Sequence, residues 1–121
     1  MEYKKDVLKE KTFAFSVRIV HLYQYLREEK KEFILCKQIM RSGTNPGAMV
    51  REAANAESGS DFIHKLSIAQ KEIGETQYWL ELLFATNYLT DNQFESLNRD
   101  AIEIIKLIKS SIITRKKNLG R

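Results

Sequence analysis

Residues 41–83 read RSGTNPGAMVREAANAESGSDFIHKLSIAQKEIGETQYWLELL. This stretch contains the only proline of the chain, its only tryptophan and four of its five glycines. In its second half, apolar or small residues recur at alternating spacings of four and three, which is typical of a helix that packs along its whole length. The repeat consists of Phe62, Leu66, Ala69, Ile73, Thr76, Leu80 and Leu83.

The first half of the stretch gives conflicting signals. Residues 42–47 have the composition of a turn, and Pro46 inside a helix would clash with the carbonyl of Ser42. A helical repeat nevertheless continues across them, through Phe33, Cys36, Met40, Gly43, Gly47, Val50 and Ala54. The repeat predicts one long helix kinked near Pro46, whereas the alternative is two helices with a loop at 42–47.

The whole chain is predicted to form four helices, at about 4–29, 32–57, 60–87 and 91–116, and the second and third of them include the stretch described above. Helix 1 has an apolar line at Leu8, Phe15, Ile19, Leu22 and Leu26, with Thr12 filling the repeat. Residues 58–61 form the clearest break, and Thr90 with Gln93 fits a capping box. Short connections between long helices predict an all-α, antiparallel up-down four-helix bundle in a single domain, 1–121.

Smaller features refine this prediction. Gly43 and Gly47 lie on one side of helix 2 and predict a close approach of a neighbouring backbone. Gly74 inside helix 3 also suggests a close helix contact. Cys36 lies on an apolar face and is expected in the core, and the charged residues 27–32 predict a solvated turn.

Helices 1 and 3 each carry a second apolar stripe on their back face, which one core cannot cover. These stripes predict an oligomer interface. The residues are Phe13, Val17 and Val20 on helix 1, and Ile68, Trp79 and Leu82 on helix 3.

The net charge of +4 is unevenly distributed. Residues 1–41 hold ten Lys and Arg against six Asp and Glu, residues 42–100 hold four against nine, and residues 101–121 hold six against one. An up-down bundle places the two basic chain ends side by side. Their cations then form either a site for a polyanion or a set of solvated helix termini. The cations concerned are Lys4, Lys5, Lys9, Lys11, Arg115, Lys116, Lys117 and Arg121.

Patterns of catalysis and cofactor binding are missing from the sequence. The two histidines, His21 and His64, have no metal-ligand spacing, and the glycines match no phosphate-binding loop. We therefore expect no catalytic, metal or cofactor site and no enzymatic activity. The absence of a signal-peptide core or an 18-residue apolar run predicts a soluble cytoplasmic protein without a membrane partner.

Residues 38–83 resemble the four-helix-bundle proteins encoded by intervening sequences of bacterial large-subunit ribosomal RNA genes, also labelled S23 ribosomal protein-like. The resemblance covers most of the chain. It is carried by Arg41-Ser42-Gly43-Thr44, Gly47-Ala48, Val50-Arg51-Glu52-Ala53, Asp61-Phe62, Lys65, Ala69, Lys71-Glu72, Glu75-Thr76 and Tyr78-Trp79-Leu80. Pro46 departs from the family pattern, which more often has an aliphatic residue there.

The resemblance implies a ring-like homopentamer of four-helix protomers. A relative, the accessory variability determinant of diversity-generating retroelements, implies nucleic acid and a reverse transcriptase as possible partners. Arg41, Arg51, Lys65 and Lys71 match the motif and are expected to contact nucleic acid. The resulting hypothesis is a non-enzymatic homo-oligomeric scaffold that binds RNA or DNA through basic patches, and the alternative is an oligomeric protein-interaction adaptor without nucleic-acid binding.

Overall fold

The computed structural model describes residues 6–120 and contains four α-helices within them. They are α1 (Val7–Glu28), α2 (Leu35–Ala54), α3 (Gly59–Ala85) and α4 (Asp91–Leu119). Each helix packs on its neighbours in the order α1, α2, α3, α4 and back to α1, while no Cα atoms of the diagonal helix pairs come within 8 Å of each other in the described chain. The protein is therefore an all-α four-helix bundle, as the sequence predicts.

The core consists of the predicted apolar seams of α1 and α3. All five buried residues of α1 and all six of α3 lie in the repeats read from the sequence, and Phe62 packs against the same core. Cys36 is fully buried among them, as predicted.

Helix α2 runs through Pro46 without interruption, so the prediction of one long helix is confirmed and the loop alternative is wrong. Its predicted seam is partly wrong, because Phe33 precedes the helix and Ala54 is exposed. The buried side instead includes two residues typical of turns, Ser42 and Pro46. The hydroxyl groups of Ser42 and Thr76 are hydrogen-bonded at 2.9 Å, which satisfies a polar group buried between α2 and α3.

The two glycines of α2 face side chains and backbone of α1. A Cβ atom at Gly43 would come within 2.7 Å of the Ile19 side chain, and one at Gly47 would come within 3.1 Å of Ser16 Oγ. The predicted approach of a neighbouring backbone is confirmed at Gly47, where the Thr12 carbonyl oxygen lies 3.5 Å from the Cβ position, whereas Gly43 faces only the Ile19 side chain. The close contact predicted for Gly74 is wrong, because no atom of another helix in the described chain lies within 4 Å of the position that a Cβ would occupy there.

The turn before α2 is more ordered than its charge suggests. Glu32 is only 7% exposed, and its carboxylate accepts hydrogen bonds from the backbone N–H groups of Ile34, Leu35 and Cys36. These amides at the start of a helix have no partner within the helix. The predicted solvated turn is thus wrong for Glu32, which caps α2.

The other helix starts use side-chain caps. Ser58 accepts a hydrogen bond from Asp61 N, and Thr90 with Gln93 forms the predicted capping box.

At the join between α1 and α4, Arg18 donates to Asp100 Oδ2 at 2.6 Å and also bonds Ser96. These polar contacts orient the two terminal helices.

Candidate interaction surfaces

The basic end of the bundle is the first candidate surface. The end of α4 lies beside the α2–α3 connection, because Leu119 faces Gly59 and Arg115 stacks on Phe62, and the start of α1 packs on the end of α2, where Arg51 lies over Phe13. Lys9, Lys116 and Lys117 are exposed there, and none of them makes an ion pair with another residue of the described chain. The Arg115 guanidinium stacks on the Phe62 ring at 4.1 Å from its centroid. Lys4 and Lys5 lie outside the described residues.

The cations matched by the family motif lie along α2 and α3. Arg51 and Lys65 lie close to this end, beside the α2–α3 connection, and Arg41 and Lys71 lie farther along the two helices. Arg41 is bound to carboxylates of α3, with Nη2 at 2.9 Å from Glu75 Oε1 and Nη1 at 3.7 Å from Glu72 Oε2. Lys65 pairs with Glu52 at 3.0 Å, and this hydrogen bond with its charge attraction raises the pKa of Lys65.

The other two motif cations have no carboxylate partner within residues 6–120. The Arg51 guanidinium lies 5.6 Å from the centroid of the Phe13 ring, and Lys71 is exposed. Of the eight predicted cations that the structure describes, Lys9, Arg115, Lys116 and Lys117 lie at the basic end. Arg51 lines the groove beside Phe13 together with Lys9, whereas Arg41 and Lys71 lie farther along α2 and α3.

The back face of α1 is the second candidate surface. Phe13 is 57% exposed and Val17 is 39% exposed, while Val20 is half-buried. Beside Phe13, α1 and α2 enclose a groove of about 290 Å³. Its lining includes Lys9, Thr12, Phe13, Ser16, Gly47, Ala48 and Arg51. The small residues of α2 thus leave space beside an exposed aromatic ring, with cations at the rim.

The back face of α3 is the third candidate surface. Ile68, Trp79 and Leu82 are half-buried, and Tyr78 beside them is 56% exposed. The Tyr78 and Trp79 rings meet edge to face with their centroids 5.1 Å apart. Tyr78 belongs to this surface but is not among the predicted interface residues, although its position next to Trp79 in the sequence also places it on the back of the helix.

A largely buried carboxyl group lies beside this third surface. Glu72 has a side chain only 13% exposed, and its Oε2 atom is buried without a hydrogen-bond partner. Burial raises the pKa of Glu72, the Arg41 guanidinium opposes this effect, and the nearby Glu75 carboxylate adds to it. The group of Glu72, Glu75 and Arg41 carries one negative charge in excess when both carboxyls are ionised. Trp79 Nε1 donates to Glu75 Oε1 at 3.3 Å and ties the group to the aromatic pair.

Several crevices lie on the surface of the bundle. A crevice of about 230 Å³ between α1 and α4 has Leu22, Leu89 and Leu97 as lining residues, with Arg18 and His21 also at its wall. Within residues 6–120, no group of three or more His, Cys, Asp or Glu side chains is arranged to hold a metal ion. None of the four helices is long and apolar enough to cross a membrane.

Comparison with known proteins places the chain in a family. The family model described as 23S rRNA-intervening sequence protein matches residues 4–110. A crystal structure at 1.70 Å resolution, of a protein with unknown function from the S23 ribosomal protein family of Bacteroides thetaiotaomicron VPI-5482, is 56% identical to this chain. The similarity covers 87% of this chain and 97% of that one, with a TM-score of 0.86. No curated protein matches the chain. This chain belongs to the 23S rRNA-intervening sequence protein family.

Proposed function

We propose that this protein is a non-enzymatic homo-oligomeric scaffold, assembled as a ring of about five copies, that binds nucleic acid through the basic end of the bundle. The observation that carries nucleic-acid binding is the set of unpaired cations at that end. Lys9, Lys116 and Lys117 are exposed and without carboxylate partners in the described chain, so they are available for phosphate groups.

Oligomer formation is supported by the two apolar back faces. Phe13, Val17 and Tyr78 keep large exposed fractions although each lies beside other apolar side chains. Such surfaces on a small protein are typical of sites that contact another protein. Tryptophan and tyrosine are also common anchors of protein interfaces, as expected for Trp79 and Tyr78.

Assembly would strengthen nucleic-acid binding. In a cyclic ring every copy presents the same end on the same side, so the basic ends form a single repeated surface. Several weak phosphate contacts on one strand add up, because the later contacts form at a high effective concentration. One bundle with three unpaired lysines would bind weakly, whereas a ring of such bundles would bind firmly.

The alternative function is an adaptor that binds only proteins. It is favoured by the pairing of Arg41 with Glu75 and of Lys65 with Glu52, because cations engaged in this way serve the fold. A reverse transcriptase as partner is an expectation from the family resemblance alone. The adaptor differs from the scaffold in one measurable respect, since it does not bind RNA or DNA at low salt.

The test measures binding of the assembled protein to mixed-sequence RNA and DNA by fluorescence anisotropy. If six or more phosphates are contacted, the affinity should fall about a thousandfold or more between about 50 and about 200 mM salt. The Lys9→Glu, Lys116→Glu, Lys117→Glu variant should lose binding at about 50 mM salt. The matched control changes three exposed lysines elsewhere, Lys30→Glu, Lys31→Glu and Lys106→Glu, and should retain most of the affinity.

Three results would contradict binding of nucleic acid at the basic end. Wild-type protein that binds neither RNA nor DNA at about 50 mM salt would favour the adaptor. Equal losses in the two triple variants would mean that net charge, and not the basic end, determines binding. Loss of binding only after Arg41 and Arg51 are changed would move the site to α2.

A further inference from the structure

One arginine of the basic end is held in a fixed position. The Cζ atom of Arg115 on α4 lies 4.1 Å from the centroid of the Phe62 ring on α3, closer than any other cation and aromatic ring of the described chain. Phe62 packs against the hydrophobic core, and one turn beyond Arg115 the Leu119 side chain lies against Gly59. The end of α4 is thus held on the start of α3, and the guanidinium group is held on the ring.

The fold does not use Arg115 as it uses other arginines. Arg41 binds carboxylates of α3. Arg27 has a ring on each of two neighbouring residues, with Tyr23 at 5.4 Å and Phe33 at 5.2 Å. Arg115 contacts a single ring, is half-buried and makes no ion pair with another residue of the described chain. Its planar group therefore remains available to a ligand.

A guanidinium group supported by an aromatic ring has a planar surface that suits a nucleic-acid base. Unpaired bases stack on aromatic side chains and on the planes of arginine guanidinium groups. Lysine is a point charge without a planar surface, so it attracts phosphate but offers no stacking. Arg115 therefore provides a kind of contact that its neighbours Lys116 and Lys117 do not.

The charges next to the ring disfavour a phosphate group there. A crevice at the end of α2 and the start of α3 is lined by three carboxylates and two cations, an excess of one negative charge. These charged residues are Arg51, Glu52, Glu57, Asp61 and Lys65. The excess would repel a phosphate over Phe62, whereas a base is neutral and its amino groups can donate hydrogen bonds to carboxylates.

The chain that follows Arg115 is basic and suits phosphate groups. Lys116 and Lys117 are exposed and have no carboxylate partner within residues 6–120. Phosphates on either side of a stacked base can therefore be bound by these lysines. Neither Arg115 nor Phe62 belongs to the apolar back faces of α1 and α3, so assembly through those faces would leave the pair accessible.

We propose that Arg115, supported by Phe62, is a base-stacking platform that makes this protein prefer single-stranded over double-stranded nucleic acid. One unpaired base lies on the Arg115 guanidinium group, and its phosphates lie at Lys116 and Lys117. A duplex offers no such base along its length, because its bases are paired and stacked on one another. This inference rests on the proposed nucleic-acid binding and adds which form is bound and which residue distinguishes it.

Fluorescence anisotropy with three labelled probes tests this preference at about 50 mM salt. The probes are a single-stranded RNA of mixed sequence without self-complementarity, the single-stranded DNA of the same sequence, and the DNA duplex. Removal of one stacking contact lowers affinity by about fivefold or more. We therefore expect wild-type protein to bind each single strand more tightly than the duplex.

The variant Arg115→Lys separates stacking from charge. It keeps the cation and removes the planar group, so the affinity for single strands should fall about fivefold or more while the affinity for the duplex changes by less than about twofold. The salt dependence should stay the same, because the number of cations is unchanged. Phe62→Leu removes the supporting ring and leaves Arg115 in place, and it should reduce the preference in the same direction.

The matched control is Arg27→Lys. It makes the same exchange at an arginine that also lies on aromatic rings, at the end of α1, far from the basic end. This control should keep the wild-type preference for single strands. Circular dichroism melts of all three variants show whether each of them is folded at the temperature of the binding measurement.

The outcomes distinguish this inference from the proposed function. Wild-type protein that binds single strands no more tightly than the duplex would overturn the platform and leave nucleic-acid binding standing. A folded Arg115→Lys variant that keeps the preference, or that loses affinity equally for all three probes, would also overturn it, because Arg115 would then act only as a charge. Wild-type protein that binds none of the probes would overturn both proposals.

Discussion

Gly43 and Gly74 are both glycines inside helices, yet their surroundings predict opposite effects of the same substitution. A methyl group at Gly43 would overlap three atoms of the buried Ile19 side chain, at 2.7 to 2.9 Å. Ile19 is fully buried and cannot move aside without disturbing the core. At Gly74 the corresponding space is open, and the residue is exposed.

We therefore expect Gly43→Ala to reduce the free energy of unfolding by about 1–3 kcal/mol through overpacking. Gly74→Ala should increase it by about 0.5–1 kcal/mol, because alanine loses less backbone freedom in a helix. Urea denaturation followed by circular dichroism measures both. A Gly43→Ala variant as stable as wild type would show that α1 and α2 are not in the close contact described.

At the scale of single residues, the sequence predicts the location of residues that follow the helical repeat. It does not predict the role of residues that depends on a contact with a distant part of the chain. Gly43, Gly47 and Cys36 follow from the helical repeat and lie where it predicts. Glu32 was missed, because its role depends on the chain turning back so that one carboxylate reaches three amides. The pairing of Arg41 with Glu75 depends on how α2 and α3 are rotated against each other, which neither segment alone determines.

At the scale of the helix, α3 combines a seam that is apolar except for Thr76 with the largely buried carboxyl group of Glu72. Glu72 has a raised pKa because burial disfavours its charged form. In the unfolded chain its pKa is near the usual 4.5. The folded state therefore binds the proton more tightly, so ionisation of Glu72 lowers the stability as pH rises from that value through the raised pKa.

The variant Glu72→Gln should accordingly be more stable than wild type at pH 7, and the difference should disappear at about pH 4. Thermal melts at the two pH values measure this effect. Glu81→Gln changes an exposed residue of the same helix and is the matched control. If Glu72→Gln is instead less stable at pH 7, the attraction between Glu72 and Arg41 outweighs the cost of burial.

The helices show where sequence periodicity is informative. The seam of α3 was predicted residue by residue, since Leu66 through Leu83 form a regular repeat without competing signals. The buried side of α2 differs from its predicted seam, because it includes Ser42 and Pro46, residue types that usually indicate a turn. Only the tertiary hydrogen bond between Ser42 and Thr76 explains why a serine belongs there.

At the scale of the whole molecule, we expect assembly to depend on the apolar back faces of α1 and α3. Trp79→Asp with Leu82→Glu should give a helical monomer or an insoluble protein, because charges without partners would be buried in the interface. The matched control, Ile102→Asp with Ile113→Glu, changes exposed apolar residues of α4 outside both faces. It should keep the mass of the wild-type assembly, and equal disruption by both variants would argue against an interface at α3.

The mass of the wild-type protein in solution tests the central claim most directly. Size-exclusion chromatography with light scattering at micromolar concentration should give about five times the 14.1 kDa mass of the chain. That result would agree with a ring that covers both apolar faces of every copy. A mass of 14.1 kDa under the same conditions would contradict the account, because the exposed faces of α1 and α3 would then have no second copy to cover them.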